Sequence, residues 1–164
     1  MSGKRRAAIL AIILALSALV LAGCELSSML LSFIAPAADG DAVRVKLRLD
    51  VGEDIGLLLT DWQANAQHGM SGISNADGSM LGRNSTEYWE IERQNLDSPA
   101  DTVELNLRFI VVTKYFEPNY DFDYPEEYCV PMEPVSFTAE FGRTYSVTIT
   151  GNREDGYRAA LETP

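Results

Sequence analysis

The sequence is short of the parts from which most active sites are built. It has one histidine, His68, and two cysteines, Cys24 and Cys129, among 164 residues. A structural zinc centre draws four ligands largely from those two residue types, and three fall short of that. No glycine-rich loop ending in Lys-Ser or Lys-Thr is present to cradle a nucleotide phosphate. Basic residues are scarce as well, with 13 Lys and Arg against 24 Asp and Glu and a formal net charge of −11. Nucleic acid is thereby excluded as a partner, because neutralising phosphates takes clustered Lys and Arg. Internal repeats, low-complexity segments and convincing helices beyond the N-terminal apolar run are missing too.

What is present begins with an address. Lys4, Arg5 and Arg6 precede an apolar run from Ala7 to Ala22 that only Ser17 interrupts. This is the layout of a secretory signal peptide. Its small-residue site, Leu21-Ala22-Gly23, runs straight into Cys24. These four residues resemble the lipobox of bacterial lipoproteins, in which a diacylglyceryl group is attached to the thiol and the chain is cut before the cysteine. The rest of the chain is similar to small uncharacterised lipoproteins of Gram-positive bacteria that carry one C-terminal β-domain, a likeness that transfers no functional residue.

The resemblance implies a signal peptide over 1–23, a lipidated N-terminus and connecting segment over 24–41, and a domain over 42–164. It also implies a place on the extracytoplasmic face of the cell membrane. Acyl methylenes contribute roughly 0.8 kcal/mol each, so two chains hold a protein where one holds it marginally. Two readings compete with it: an ordinary cleaved signal, which would leave a soluble secreted protein, and an uncleaved anchor helix. A span needs about 20 apolar residues, and Met29 to Ala38 is apolar again with only Glu25 and two serines between. Cleavage removes three basic residues and no acidic one, leaving 10 against 24, or −14. A cationic partner or a metal ion suits that charge. With Cys24 lipidated, Cys129 has no partner in the chain. Its neighbours are apolar and no basic group lowers its pKa, so a buried, unreactive thiol is expected.

From Ala42 the pattern has period two. Val43, Val45, Leu47, Leu49 and Val51 alternate with Arg44, Lys46, Arg48 and Asp50, which makes a half-buried strand. Gly52-Glu53-Asp54 turns the chain, and Ile55 to Trp62 reads as the next strand, paired with the first as a hairpin. Gln63 to Arg83, rich in Gly, Ser and Asn, reads as mostly loop with a short strand near Met70 to Ile73. Strands follow at Thr86 to Arg93, Val103 to Val112, Val135 to Phe141, Tyr145 to Ile149 and Tyr157 to Leu161. In the Val103 strand, Ile110 and Val112 make both faces apolar. About seven strands without helices between them predict an all-β fold, a two-layer antiparallel sandwich of immunoglobulin-like shape, preceded by an N-terminal signal or anchor helix.

Two segments carry candidate chemistry. The stretch Glu117-Pro118-Asn119-Tyr120-Asp121-Phe122-Asp123-Tyr124-Pro125-Glu126-Glu127-Tyr128 packs acids and aromatics together. Asp121, Asp123, Glu126 and Glu127 are candidate ligands for a hard cation such as calcium, which wants six to eight oxygens, although EF-hand spacing is absent. Tyr120, Phe122 and Tyr124 are candidate contacts for a glycan or protein. The plainer alternative is a compact surface loop pinned by its own aromatics, with the acids solvated. The second segment, Gln67-His68-Gly69-Met70-Ser71-Gly72, offers His68 as a base for Ser71 in an envelope hydrolase or accessory subunit. Gly69-Met70-Ser71-Gly72-Ile73 departs from the nucleophile-elbow pattern, because Ile73 stands where glycine is required. Asn75-Ala76-Asp77-Gly78-Ser79 reads as a turn. The preferred reading is a membrane-anchored, non-catalytic binding or structural module of the cell envelope.

Overall fold

A computed structural model describes residues 40–97, 100–119 and 121–162, all within one compact unit, Ala37–Pro164. Cys24, the signal or anchor helix and Tyr120 lie outside the described residues. Among those described, no helix is long and apolar enough to cross a membrane. The described residues form nine strands in two sheets. In the first, β1 (Ala42–Val51) and β8 (Thr144–Asn152) are central, with β4 (Thr86–Glu92) and β9 (Gly156–Leu161) at the edges. In the second, β2 (Leu57–Ala64) lies between β3 (Gln67–Ile73) and β5 (Thr102–Val112). The far side of β5 pairs with two short strands, β6 (Cys129–Pro131) and β7 (Val135–Glu140).

The all-β, two-sheet expectation holds, with three corrections. The first sheet is mixed: β1 runs antiparallel to β4 (Val45↔Trp89) and parallel to β8 (Leu47↔Val147). Second, β3 extends the short strand expected at Met70–Ile73 back to Gln67, because two residues, Asn65 and Ala66, close it onto β2 as a hairpin. Third, β1 and β2 are not a hairpin but belong to different sheets.

Their connection crosses the end of the sandwich. Ile55 bridges Leu81 through a reciprocal pair of backbone hydrogen bonds (3.0 and 2.8 Å), and both side chains are buried there. The reason lies in the run Ile55 to Leu59, which is apolar on both faces. Crossing over lets Leu58 face the core between the sheets while Leu57 and Leu59 face outward under a cover of their own.

That core is the alternation made solid. Val43, Val45, Leu47 and Leu49 of β1 meet Val103, Leu105, Leu107, Phe109 and Val111 of β5, with Val147 and Ile149 of β8 beside them. Burying a side chain of this size contributes roughly 1.5–3 kcal/mol.

Candidate functional site

The acid-and-aromatic segment is a strap across the outer face of the second sheet. Leu57, Leu59 and Val112 form a second apolar cluster with the buried ring of Tyr124, and Ile110, Phe116, Phe122, Tyr128 and Cys129 pack around it. Phe116 holds two neighbours at ring-centroid distances of 5.8 Å (Tyr124) and 5.5 Å (Tyr128). Asn119 ties the tip. Its Nδ2 donates to the Asp123 carbonyl (3.3 Å), its Oδ1 accepts from the Asp123 N–H (3.2 Å), and its own N–H donates to the Tyr124 hydroxyl (3.2 Å). Phe122 stands at φ +51°, a costly place for a bulky residue, of order 1–3 kcal/mol. Its ring lies over Gly72, where a Cβ would come within 3.3 Å of Cε1. The absence of a side chain on β3 is what makes room for it.

Neighbouring connections brace this strap. A Cβ on Gly56 would sit 2.0 Å from the Lys114 carbonyl oxygen, so the β1–β2 connection lies flush against the start of the strap. Lys114 Nζ lies 5.4 Å from the Tyr128 ring centre, and the Arg153 guanidinium of the β8–β9 turn lies 5.8 Å from it. Glu53 accepts hydrogen bonds from the Arg153 N–H (2.8 Å) and from the Tyr157 hydroxyl. Burial first, and then Glu53, push the Tyr157 phenol far above its usual range. The Asp-Gly segment is a turn, with Gly78 at φ +75°. Asp77 Oδ1 accepts from the Ser79 hydroxyl (2.7 Å) and N–H (3.0 Å), bonds that hold its pKa below the ordinary value.

The candidate residues therefore separate. Tyr124 is buried and Phe122 half-buried, whereas Asp121, Asp123, Glu126 and Glu127 are exposed. Among the described residues no three His, Cys, Asp or Glu side chains gather as a metal-binding group. His68 and Ser71 are not brought together either. They lie three positions apart on one strand, and side chains at odd spacing leave opposite faces of a sheet. Ser71 Oγ instead accepts a hydrogen bond from Trp89 Nε1 of the other sheet (2.9 Å). Cys129 is half-buried with Sγ 3.9 Å from the Tyr124 carbonyl; burial and then Glu126 push its thiol upward.

Gly56, Gly72, Phe116 and Asn119 do as much to shape the strap as the residues singled out by composition. The two-faced apolar runs at Ile55–Leu59 and Ile110–Val112 were the signal that something had to cover this face.

Charge is unequal between the two ends of the sandwich. The chain enters β1 at one end, and the connections 52–56, 74–85, 113–128 and 153–155 lie at the other. Those four carry ten acidic side chains and three basic ones, while the described residues of the connections at the β1-entering end, 65–66, 93–97, 100–101 and 141–143, carry two and two.

No protein-family model matches the chain, and no curated protein matches it. Two solved structures of pneumolysin, one a non-hemolytic form from Streptococcus pneumoniae, are similar at 10% and 9% identity, each with a TM-score of 0.37. The match covers 75% of this chain, which spans about a quarter (24%) of those chains. At that score the likeness carries no argument.

Proposed function

We propose that this chain is a lipid-anchored, extracytoplasmic module of the cell envelope, immunoglobulin-like in shape, that binds a cationic partner through its loop-bearing end and performs no catalysis. The observation that supports the reading is the concentration of acid at the end opposite the start of β1. A ten-residue strand spans about 33 Å, so a chain tethered through Cys24 would carry those loops away from the strand's starting end. The strap's two residue types divide the work: its aromatics hold the loop down, and its acids stay free to meet a basic surface. The hydrolase alternative loses its base and nucleophile to opposite faces of β3.

Two measurements test this reading. Mass spectrometry of the membrane fraction is expected to find an acylated Cys24 as the mature N-terminus, and intact Met1 to Gly23 on the mature chain would refute the anchor. Asp121→Asn with Asp123→Asn is expected to weaken salt-sensitive binding to isolated envelope fractions. Unchanged binding would remove the loop end from the proposal.

A further inference from the structure

An unpaired edge strand presents a row of backbone N–H and C=O groups that another chain can pair with, and proteins guard such edges with charge, proline or cover. Three of the four edges here are guarded. Strand β4 carries Glu87, Glu90 and Glu92; β9 carries Arg158; and the β6–β7 edge is broken around Pro131, Glu133 and Pro134. The fourth is β3, Gln67-His68-Gly69-Met70-Ser71-Gly72-Ile73, which has neither a charged side chain nor a proline over seven residues.

The hydrogen-bond phase shows which groups are open. The Asn65 N–H donates to the Glu104 carbonyl (2.9 Å), so the odd-numbered residues of β2 bond to β5 and the even-numbered ones to β3. The even-numbered residues face Gln67, Gly69, Ser71 and Ile73. The backbone groups of His68, Met70 and Gly72 therefore point away from the sheet, and among the described residues nothing bonds to them. Among the described residues Met70 is also one of two large apolar side chains left exposed, at 39%.

The geometry points to β3 as a strand-addition site for an extended, lysine- or arginine-bearing segment of another polypeptide. Backbone pairing supplies affinity for any extended chain, and the surroundings select its charge. Glu87 lies on the same face of β4 as Trp89, whose indole reaches Ser71, and is bonded to the Ser85 hydroxyl (2.7 Å). Asp97 sits at the other end of β3, its N–H held by Gln67 Oε1 (3.0 Å). Among the described residues neither acid forms an ion pair. Basic side chains spaced along an added strand would meet an acid at each end. A second copy is the poorer occupant, since residues 40–162 hold 22 acids and 10 bases and two such domains repel. This inference rests on reading the domain as a binding module, but not on its loop end.

The test uses the full chain in detergent and an acetylated, amidated Lys-Val-Lys-Val-Lys-Val peptide, followed by amide hydrogen exchange. Exchange at His68, Met70 and Gly72 is expected to slow about tenfold or more. The same peptide methylated on alternate backbone nitrogens keeps its charge but is expected to give no protection. Met70→Pro removes one outward N–H and no bond to β2, a substitution edge strands tolerate; it is expected to weaken binding of the unmethylated peptide while the unfolding temperature changes little. Should the proline variant misfold, the methylated peptide still decides. Four outcomes overturn the proposal: equal protection by the methylated peptide, protection only at the loop end, no protection at millimolar peptide, or a dimer that protects β3 without peptide. Loss of protection with envelope binding intact overturns strand addition alone. The Asp121→Asn, Asp123→Asn variant is expected to leave β3 protection unchanged.

Discussion

The outer faces of the two sheets are finished differently. On the first, Arg44, Lys46 and Arg48 of β1 alternate outward in register with Thr144, Ser146 and Thr148 of β8, a polar face on which Lys46, Arg48 and Thr144 are exposed and Arg44, Ser146 and Thr148 half-buried. Arg44 bonds Glu90 at 2.8 Å, and Tyr88 beside it is 41% exposed. On the second sheet, the outward residues Leu57, Leu59, Ile110 and Val112 are apolar, and the chain covers them with its own strap. The difference explains how one segment can be both aromatic and acidic. Its aromatic side chains complete a second, smaller core, while its carboxylates remain at the surface.

The largest expected effect tests that cover directly. Tyr124 is 7% exposed and central to the outer cluster. Tyr124→Ala is expected to destabilise the chain by about 3–5 kcal/mol, as loss of a buried ring does. Tyr88→Ala, on the bare face of the first sheet, is expected to stay within about 0.5 kcal/mol of the parent. Denaturant unfolding of both variants breaks the comparison if the two costs are alike.

A middle-sized effect is expected where the strap is braced. Gly56→Ala puts a methyl group 2.0 Å from a backbone oxygen that cannot rotate away. The cost is expected to be about 1–3 kcal/mol, as for other forced contacts, with faster proteolysis between Lys114 and Tyr128. At Gly82 the nearest atom to an added Cβ is Ser85 Cβ at 4.0 Å, and φ is not positive. Gly82→Ala is accordingly expected to be neutral, or stabilising by about 0.4–1 kcal/mol through the unfolded chain. Similar losses at both glycines would show that the strap is not held by close backbone contact.

The contrast also marks what could be read from the sequence. Strands β1, β5 and β8 were legible because one face is buried and the other wet, so polarity alternates along the chain. Strand β3 was harder to see. Its residues have little strand propensity, and its length comes from pairing with β2 and from the Trp62 ring on Gly69, where a Cβ would lie 2.5 Å away. Strand β6 has three residues and is set by Val112 and Ile110 across from it. The parallel β1–β8 pairing joins residues a hundred positions apart, as Arg44 to Thr144, and no local pattern encodes such a partner. At the candidate site, the residue types were visible in Glu117 to Tyr128, but the division between pinned rings and free acids was not. That division depends on the two-faced apolar strand ends lying beneath them.

The smallest expected effect concerns Cys129, the thiol at the margin of the covered face. Burial, and then the nearby Glu126 carboxylate, disfavour its thiolate and raise its pKa above the ordinary value of 9.0. A raised acid is neutral in the fold at pH values where the unfolded chain already ionises. Its contribution to stability is therefore complete below pH 9 and is lost as pH climbs through the folded value. The thiolate is the reactive form, so alkylation by iodoacetamide is expected to be slow in the native chain and to rise at higher pH than in denaturant. The Tyr124 carbonyl lies 3.9 Å from this sulfur and its ring roofs the cluster. Tyr124→Ala, under conditions where it remains folded, is therefore expected to move the alkylation profile back toward lower pH. Tyr88→Ala is expected to leave it in place. Identical profiles for parent chain, both variants and the denatured protein would mean that the strap does not shield Cys129, and the second sheet's outer face would then be wetter than its packing implies.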